Sequence, residues 1–165
     1  MKYIKTKNGE ELMARTVIIP EEIEKERIKK RQIQILMSDE PGNYDNEELK
    51  GLLLKYLSED RTTPRRIREI LFPLCIKHAT VTREMIKKEL MGKREASDEG
   101  KAGIILTTIS REIGIKKRDY IRQLIRYDRP NPWEKENYRL VDEYKGLVKY
   151  ALNEVAEQGR KREEP

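Results

Sequence analysis

The sequence predicts a mainly α-helical protein of 165 residues with two short β-hairpins. Apolar residues recur at spacings of three and four along most of the chain, which is typical of amphipathic helices. Only 36% of the residues are hydrophobic, which favours a small core with long exposed helix faces. Turn signals at residues 8–9 and 129–132 each separate two short apolar runs. Together these observations indicate helices as the main element and hairpins at two places.

Residues 1–40 are predicted to form a β-hairpin followed by a charged helix. The pair Asn8-Gly9 favours the tightest hairpin turns. Pro20 suits the first turn of a helix, and the glutamates after it suit the positive end of the helix dipole. Because two strands alone are only marginally stable, this region needs a partner surface or a second copy of the chain. We therefore expect an oligomerisation arm that would support a homodimer.

A turn-rich linker at residues 38–44 marks the predicted domain boundary, with Pro41-Gly42 at its centre. Residues 45–158 are expected to form a helical domain, and residues 159–165 a flexible tail. Asp45 with Glu48 predicts the capped start of the first helix of this domain. The helix should bury one face that includes Leu49, Leu53 and Tyr56.

Two further helices are predicted before residue 100. Thr63 and Pro64 fit the cap and first position of one, and Pro73 should kink or divide it. Thr82 fits the cap of the other, which should end at residue 91. The single cysteine, Cys75, lies in an apolar run, so we expect a buried thiol in a reducing compartment.

Residues 101–141 carry the clearest functional pattern. One helix should place Ile104, Ile105, Ile109 and Ile113 on an apolar face, and Gly114 should end it in the left-handed conformation. A basic helix should follow, with a second apolar stripe at positions 120, 121, 124 and 125. Residues 125–141 are then typical of a hairpin whose tip contains two prolines.

This order of elements resembles the winged-helix branch of the helix-turn-helix superfamily. The resemblance rests on residues 106–123 for the helix-turn-helix and on residues 125–141 for the wing. Gly114 in the turn, with the small Ser110 about one turn earlier, fits the family pattern, whereas Gln123 stands where an apolar residue is more usual. The resemblance implies a winged helix-turn-helix at residues 101–141 that reads DNA with its second helix. Some winged helices bind only protein.

The basic residues of this region are the predicted contacts to double-stranded DNA. Those at the turn and the start of the second helix oppose the helix dipole, so a polyanionic partner would explain them. Arg65 and Arg66 on an earlier helix could touch flanking phosphates. Trp133 is expected to fold back onto the core. The predicted DNA-binding residues are Lys116, Lys117, Arg118, Arg122, Arg126, Arg129, Lys135, Arg65 and Arg66.

The distribution of charge favours the same region. Residues 61–135 contain 19 basic and 10 acidic residues, whereas residues 1–60 and 136–165 are each slightly acidic. A clustered positive charge is the electrostatic footprint of a nucleic-acid partner. We expect no membrane partner, because the apolar stripes are needed for a core and no apolar stretch approaches 18 residues. With no signal peptide, a cytoplasmic protein is expected, and the abundance of charged residues suggests a thermophilic source.

Catalytic patterns are weak. His78 is the only histidine, and neither of the common glycine-rich nucleotide loops is present. We therefore expect no catalytic, cofactor or metal site and no enzyme activity. One alternative is a protein-interaction or oligomerisation module that uses the winged helix for docking. A weaker one is a metal-dependent nuclease, suggested by the Glu-x-Lys spacing of Glu143 and Lys145.

Overall fold

A computed structural model describes residues 23–25, 37–131 and 134–163, with side chains up to residue 162. The predicted hairpin at residues 1–20, most of the charged helix after it, and Trp133 lie outside the described residues. Of that charged helix, residues 23–25 are described and are helical. The chain divides into two units, Met1–Met37 and Ser38–Pro165.

The mainly α fold with a small antiparallel sheet is confirmed in the second unit. A π-helical turn (Ile67–Leu71) joins the second helix to the third, and 3₁₀ turns (Lys116–Arg118 and Asp142–Tyr144) precede the sixth and seventh. In chain order the helices and strands are α1 (Asn46–Leu57), α2 (Thr62–Arg66), α3 (Phe72–Lys77), α4 (Arg83–Gly92), α5 (Glu99–Gly114), α6 (Asp119–Leu124), β1 (Ile125–Asn131), β2 (Glu134–Leu140) and α7 (Lys145–Glu163).

Two predicted helix starts are confirmed by their caps. The Asp45 carboxylate accepts a hydrogen bond of 2.9 Å from the backbone N–H of Glu48 at the start of α1. The Thr82 hydroxyl accepts one of 3.2 Å from the N–H of Met85 at the start of α4. Each cap satisfies a backbone donor that has no partner inside the helix.

The start predicted at Thr63 and Pro64 is wrong by two residues. Helix α2 begins at Thr62 after Arg61, whose side chain makes no capping hydrogen bond. Pro73 is predicted to kink or divide this helix, and a π-turn lies just before it, through which α3 follows α2 without a break. Proline lacks an N–H and its ring crowds the carbonyl one turn earlier, so a wider turn just before Pro73 accommodates it.

The hairpin predicted at residues 125–141 is confirmed as the antiparallel pair β1 and β2, with Ile125 opposite Leu140. On the other side of β2, Val81 and Tyr138 exchange backbone hydrogen bonds of 2.8 and 2.9 Å. Val81, in the loop after α3, therefore forms a single β-bridge at the edge of the two-stranded sheet. The hydroxyl groups of Ser110 and Tyr138 lie 2.8 Å apart and fix the hairpin to α5.

One hydrophobic core joins α1, the α2–α3 helix, α4, α5, α6, β2 and α7. Its fully buried members include Leu53, Phe72, Leu106, Ile121 and Val148, one from each of five helices. The predicted tail is partly helical, because α7 extends to Glu163 rather than ending at residue 158.

Two predictions for α5 are wrong. Ile104 is 69% exposed and does not belong to the buried face that contains Ile109 and Ile113. Gly114 is helical, and none of the described glycines has a positive φ, so no left-handed glycine ends this helix.

Residues 38–44, predicted to be a linker, are hydrogen-bonded to α6. Gly42 donates its backbone N–H to the Asp119 carbonyl at 2.8 Å, and a Cβ at Gly42 would lie 2.6 Å from the Tyr44 ring. The amide side chain of Gln123 accepts from the Tyr44 N–H at 2.9 Å and donates to the Tyr44 carbonyl at 3.0 Å. This pairing gives the Gln123 amide a structural role that an apolar side chain could not fill.

Candidate nucleic-acid interface

Arg122 is a structural residue, and its predicted contact with DNA is wrong. It is 2% exposed and donates hydrogen bonds to four backbone carbonyls. Three of them, at Ile113, Ile115 and Lys116, belong to the end of α5 and the following turn. The fourth is the carbonyl of Glu40, which accepts from Nε at 2.8 Å. The guanidinium thus caps the carbonyls that a left-handed glycine was expected to satisfy.

The Arg118 side chain also makes its contacts within the protein. Its guanidinium lies 5.1 Å from the centre of the Tyr56 ring, and its Nε is 3.7 Å from a carboxylate oxygen of Glu112. The same oxygen accepts from the Tyr56 hydroxyl at 2.7 Å and from Arg61 Nη2 at 2.8 Å. With a side-chain exposure of 14%, Arg118 presents little of its charge to a partner.

The buried Glu112 stays charged because its partners outweigh its burial. Burial alone would raise the pKa of this carboxyl, but hydrogen bonds from Arg61 and Tyr56 and the nearby charge of Arg118 hold the pKa below its usual value. Burial and the bond to Glu112 raise the pKa of the Tyr56 hydroxyl. This cluster joins α1 and α2 to the end of α5.

Arg65 and Arg66 share one acid. Arg65 Nη2 and Arg66 Nε each lie 2.9 Å from Oε1 of Glu95, in the loop between α4 and α5. These two hydrogen bonds lower the pKa of Glu95 to about 2. Both arginines therefore hold the loop to α2. Since each guanidinium is already paired with Glu95, neither is free for the predicted contact with a flanking phosphate.

The predicted contacts on the wing are engaged within the protein. Lys135 is 3% exposed, and its amine lies 5.3 Å from the centre of the Tyr127 ring. Burial, with the nearby charges of Arg129 and Arg122, lowers the pKa of Lys135 to about 8. Arg129 is 42% exposed and pairs with the Asp39 carboxylate. Because Lys135 is buried, its amine is not available to a phosphate. Arg129 lies at the surface, but its guanidinium is already paired with an acid.

Lys116, Lys117 and Arg126 remain exposed. Within the described part of the chain, the side chains of the two lysines make no ion pair or hydrogen bond. Arg126 uses one N–H to reach the Arg122 carbonyl at 3.0 Å and leaves the others to solvent. Helix α6, which begins two residues after Lys117, buries five of its six residues. The prediction of an outward-facing helix after Gly114 is therefore wrong.

The helix with an outward face is α5. Lys101, Ile104, Thr108 and Arg111 are exposed and recur at spacings of three and four, which places them in one line along the helix. Lys116 and Lys117 continue the exposed positive charge just past the end of the helix. We call the set Lys101, Ile104, Thr108, Arg111, Lys116 and Lys117 the basic ridge.

Acidic residues are nearly absent from this stretch. Between Gly100 and Arg118 the only carboxylate is Glu112, and it is 6% exposed. The exposed charged side chains from Lys101 to Lys117 are therefore all cations. Asp98 and Glu99 lie at the start of α5, so the positive surface is strongest at the other end of the helix.

Sequence reasoning missed Lys101 and Arg111 because the isoleucines of this helix were assigned to one buried face. The run of 17 residues with one acid, in a chain that is 40% charged, was a signal that could have found them. Lys116–Arg118 also follow the carbonyl end of α5, where the helix dipole favours cations. Their position therefore needs no polyanionic partner to explain it.

No group of three or more His, Cys, Asp or Glu side chains in the described ranges could hold a metal ion. Glu143 lies exposed in the 3₁₀ turn before α7, and His78 is exposed after the end of α3. No described helix is both long and apolar enough to span a bilayer.

Comparison of the chain with protein-family models, curated proteins and solved structures found no match.

Proposed function

We propose that the protein binds double-stranded DNA through the basic ridge, with α5 as the helix that faces the groove. The observation that carries this proposal is the absence of exposed acids between Lys101 and Lys117. From Lys101 to Arg111 the helix rises about 15 Å, and a helix of this size fits the major groove. Phosphates on either side of the groove would then meet Arg111, Lys116 and Lys117.

The finer description, a winged helix-turn-helix, is part of the same proposal. Helices α4 and α5 would form the helix pair, and β1 and β2 the wing. The hydrogen bond between Ser110 and Tyr138 supports this arrangement, because it fixes the hairpin beside the helix that carries the basic ridge. In this assignment α6 is a support that buries Tyr120 and Ile121 rather than a reading helix.

An anisotropy titration of a labelled random duplex tests the proposal. With about four or five phosphate contacts, the slope of log affinity against log salt should be about −4. The variant Arg111→Gln, Lys116→Gln, Lys117→Gln should weaken binding at least tenfold at 100 mM salt and reduce the slope by about 3.

The matched control carries the same loss of charge elsewhere. Lys55, Lys149 and Lys161 are exposed on α1 and α7, and the triple change to Gln at these positions should leave both affinity and slope near the wild-type values. Equal losses in the two triple variants would reject the basic ridge as the site. No measurable binding by the wild-type protein at 50 mM salt would reject the function.

One observation favours the protein-interaction alternative. Ile104 is a large apolar residue, 69% exposed, in the middle of the basic ridge. On a DNA-binding helix such a residue can contact a thymine methyl group, and on a docking surface it would be buried by a protein partner. Light scattering on the full chain separates a self-associating module from a monomer. A monomer at about 100 μM that binds duplex would exclude the homodimer reading of this surface.

A further inference from the structure

A solvent-open pocket of about 360 Å³ lies between residues 38–44 and strand β1. Three arginines and one tyrosine line it together with a single acid. The residues are Asp39, Pro41, Arg122, Ile125, Arg126, Tyr127 and Arg129. The pocket lies wholly within the second unit of the chain.

The Asp39 carboxylate occupies the polar side of this pocket. It accepts a hydrogen bond of 2.6 Å from the Tyr127 hydroxyl and pairs with the Arg129 guanidinium. A carboxylate held by an arginine and a phenol hydroxyl shows which chemistry the pocket accepts: a small oxyanion.

The charges of the pocket do not cancel. Arg122 bonds only to backbone carbonyls, and neither it nor Arg126 forms an ion pair with a carboxylate among the described residues. The pocket is thus lined by three arginines and one carboxylate, and of the three only Arg129 pairs with that carboxylate. An incoming anion meets positive charge even while Asp39 is in place.

We propose that this pocket is a phosphate-binding site that Asp39 fills in the free protein. A phosphate oxygen would take the place of the Asp39 carboxylate against Arg129 and Tyr127, and Arg126 would supply further donors from the pocket rim. If the protein binds DNA as proposed above, the phosphate is one of the duplex backbone, and the pocket extends the contact from the basic ridge to the wing.

Asp39 is placed so that it can leave. Its side chain is 34% exposed. The backbone bonds that hold residues 38–44 come from the N–H groups of Ser38, Gly42 and Tyr44 and from the carbonyls of Glu40 and Tyr44, and none of them comes from Asp39. The carboxylate can therefore rotate into solvent without releasing the segment from α6.

The test compares Asp39→Asn with Asp128→Asn. Asn keeps the shape of the side chain and removes its charge. Asp128 is a matched control because it lies on β1 between Tyr127 and Arg129, is exposed and pairs with a different arginine, Arg139. Inorganic phosphate is titrated into each full-length variant and followed by NMR at the arginine Nε–H and the Tyr127 backbone amide. A duplex titration by anisotropy is run in parallel.

In the phosphate titration, Asp39→Asn should bind at least about fivefold more tightly than wild type, with shifts at Arg126, Tyr127 and Arg129. Asp128→Asn should behave as wild type. In the duplex titration, Asp39→Asn should bind more tightly and steepen the salt slope by about 1, because Arg129 becomes free to neutralise a phosphate. Adding Arg129→Gln to Asp39→Asn should abolish both gains.

The outcomes separate this site from the proposed function. If Asp39→Asn and Asp128→Asn bind phosphate equally, the pocket is not a phosphate site, whatever the duplex titration shows. If Asp39→Asn gains phosphate affinity while no variant binds duplex, the site stands, its ligand is a free phosphate compound, and the DNA-binding function is overturned. Duplex binding that is unchanged by Asp39→Asn, with a gain in phosphate affinity, places the DNA elsewhere on the protein.

Discussion

The guanidinium of Arg122 donates a hydrogen bond of 2.9 Å to the carbonyl of Ile113, one residue before α5 ends. Together with its bonds to Ile115, Lys116 and Glu40, this contact joins the end of α5 to α6 and to residues 38–44. One side chain therefore satisfies carbonyls that the helix end would otherwise leave buried without donors.

Arg122→Met should destabilise the protein by about 3 kcal/mol or more, because four carbonyls lose their charged donor. Arg122→Lys should recover little of this, since an ammonium cannot reproduce the planar fork that reaches all four. Urea unfolding measures both values. Arg126→Met, at an exposed position on β1, is the control and should change stability by less than about 0.5 kcal/mol.

Glu95→Gln should weaken the attachment of the α4–α5 loop to α2. The pKa of Glu95 is about 2 in the folded protein. Its charge therefore contributes stability above pH 4.5, and that contribution is lost as the pH falls towards 2. The substitution should cost on the order of 2 kcal/mol at pH 7 and much less at pH 2. Chemical unfolding at the two pH values measures the difference, and an equal cost at both would contradict the ion-pair explanation.

Lys135→Met should stabilise the protein near neutral pH. Burial and neighbouring arginines lower the folded-state pKa of Lys135 to about 8. The unfolded chain holds the proton up to about pH 10.5, so wild-type stability should rise between pH 8 and 10.5 by on the order of 2 kcal/mol. The methionine variant should lack this rise. Thermal unfolding from pH 7 to 10 measures it, with Lys117→Met, at an exposed position, as the control.

Tyr56→Phe should cost about 1–2 kcal/mol, because Glu112 loses a buried hydrogen bond of 2.7 Å. Tyr150→Phe is the control, since the Tyr150 hydroxyl lies at the surface and bonds only to Glu154. Both variants can be compared by urea unfolding. A loss for Tyr150→Phe as large as that for Tyr56→Phe would mean that the Glu112 cluster adds nothing specific.

Local signals allowed much of the fold to be predicted. Asp45 and Thr82 predicted helix starts, because a capping side chain bonds to a backbone N–H three residues further on. The two prolines after Arg129 predicted the hairpin tip. Such signals depend on the chain within one turn of the residue. The end of α5 was predicted wrongly because its carbonyls are satisfied by Arg122, eight residues further along the chain from Gly114, rather than by a local glycine.

The candidate site was harder to predict because a cation in a sequence does not reveal its partner. The sequence does not distinguish Arg111 from the other arginines of this region. In the structure, however, Arg65 pairs with Glu95, Arg118 lies beside Glu112, and Arg122 bonds to backbone carbonyls. Those partners lie between 6 and 82 residues away along the chain. Arg111 has an acid, Glu112, directly after it in the sequence, and only the structure shows that Glu112 is buried while Arg111 is exposed.

The only cysteine of the chain, Cys75, is 1% exposed, and burial raises the pKa of its thiol to about 12. In the folded protein the sulfur is both out of reach of an alkylating reagent and almost wholly protonated at neutral pH, and thiols react as thiolates. Its rate of alkylation therefore reports how often the interior becomes accessible, and the natural chain carries this reporter without any introduced label.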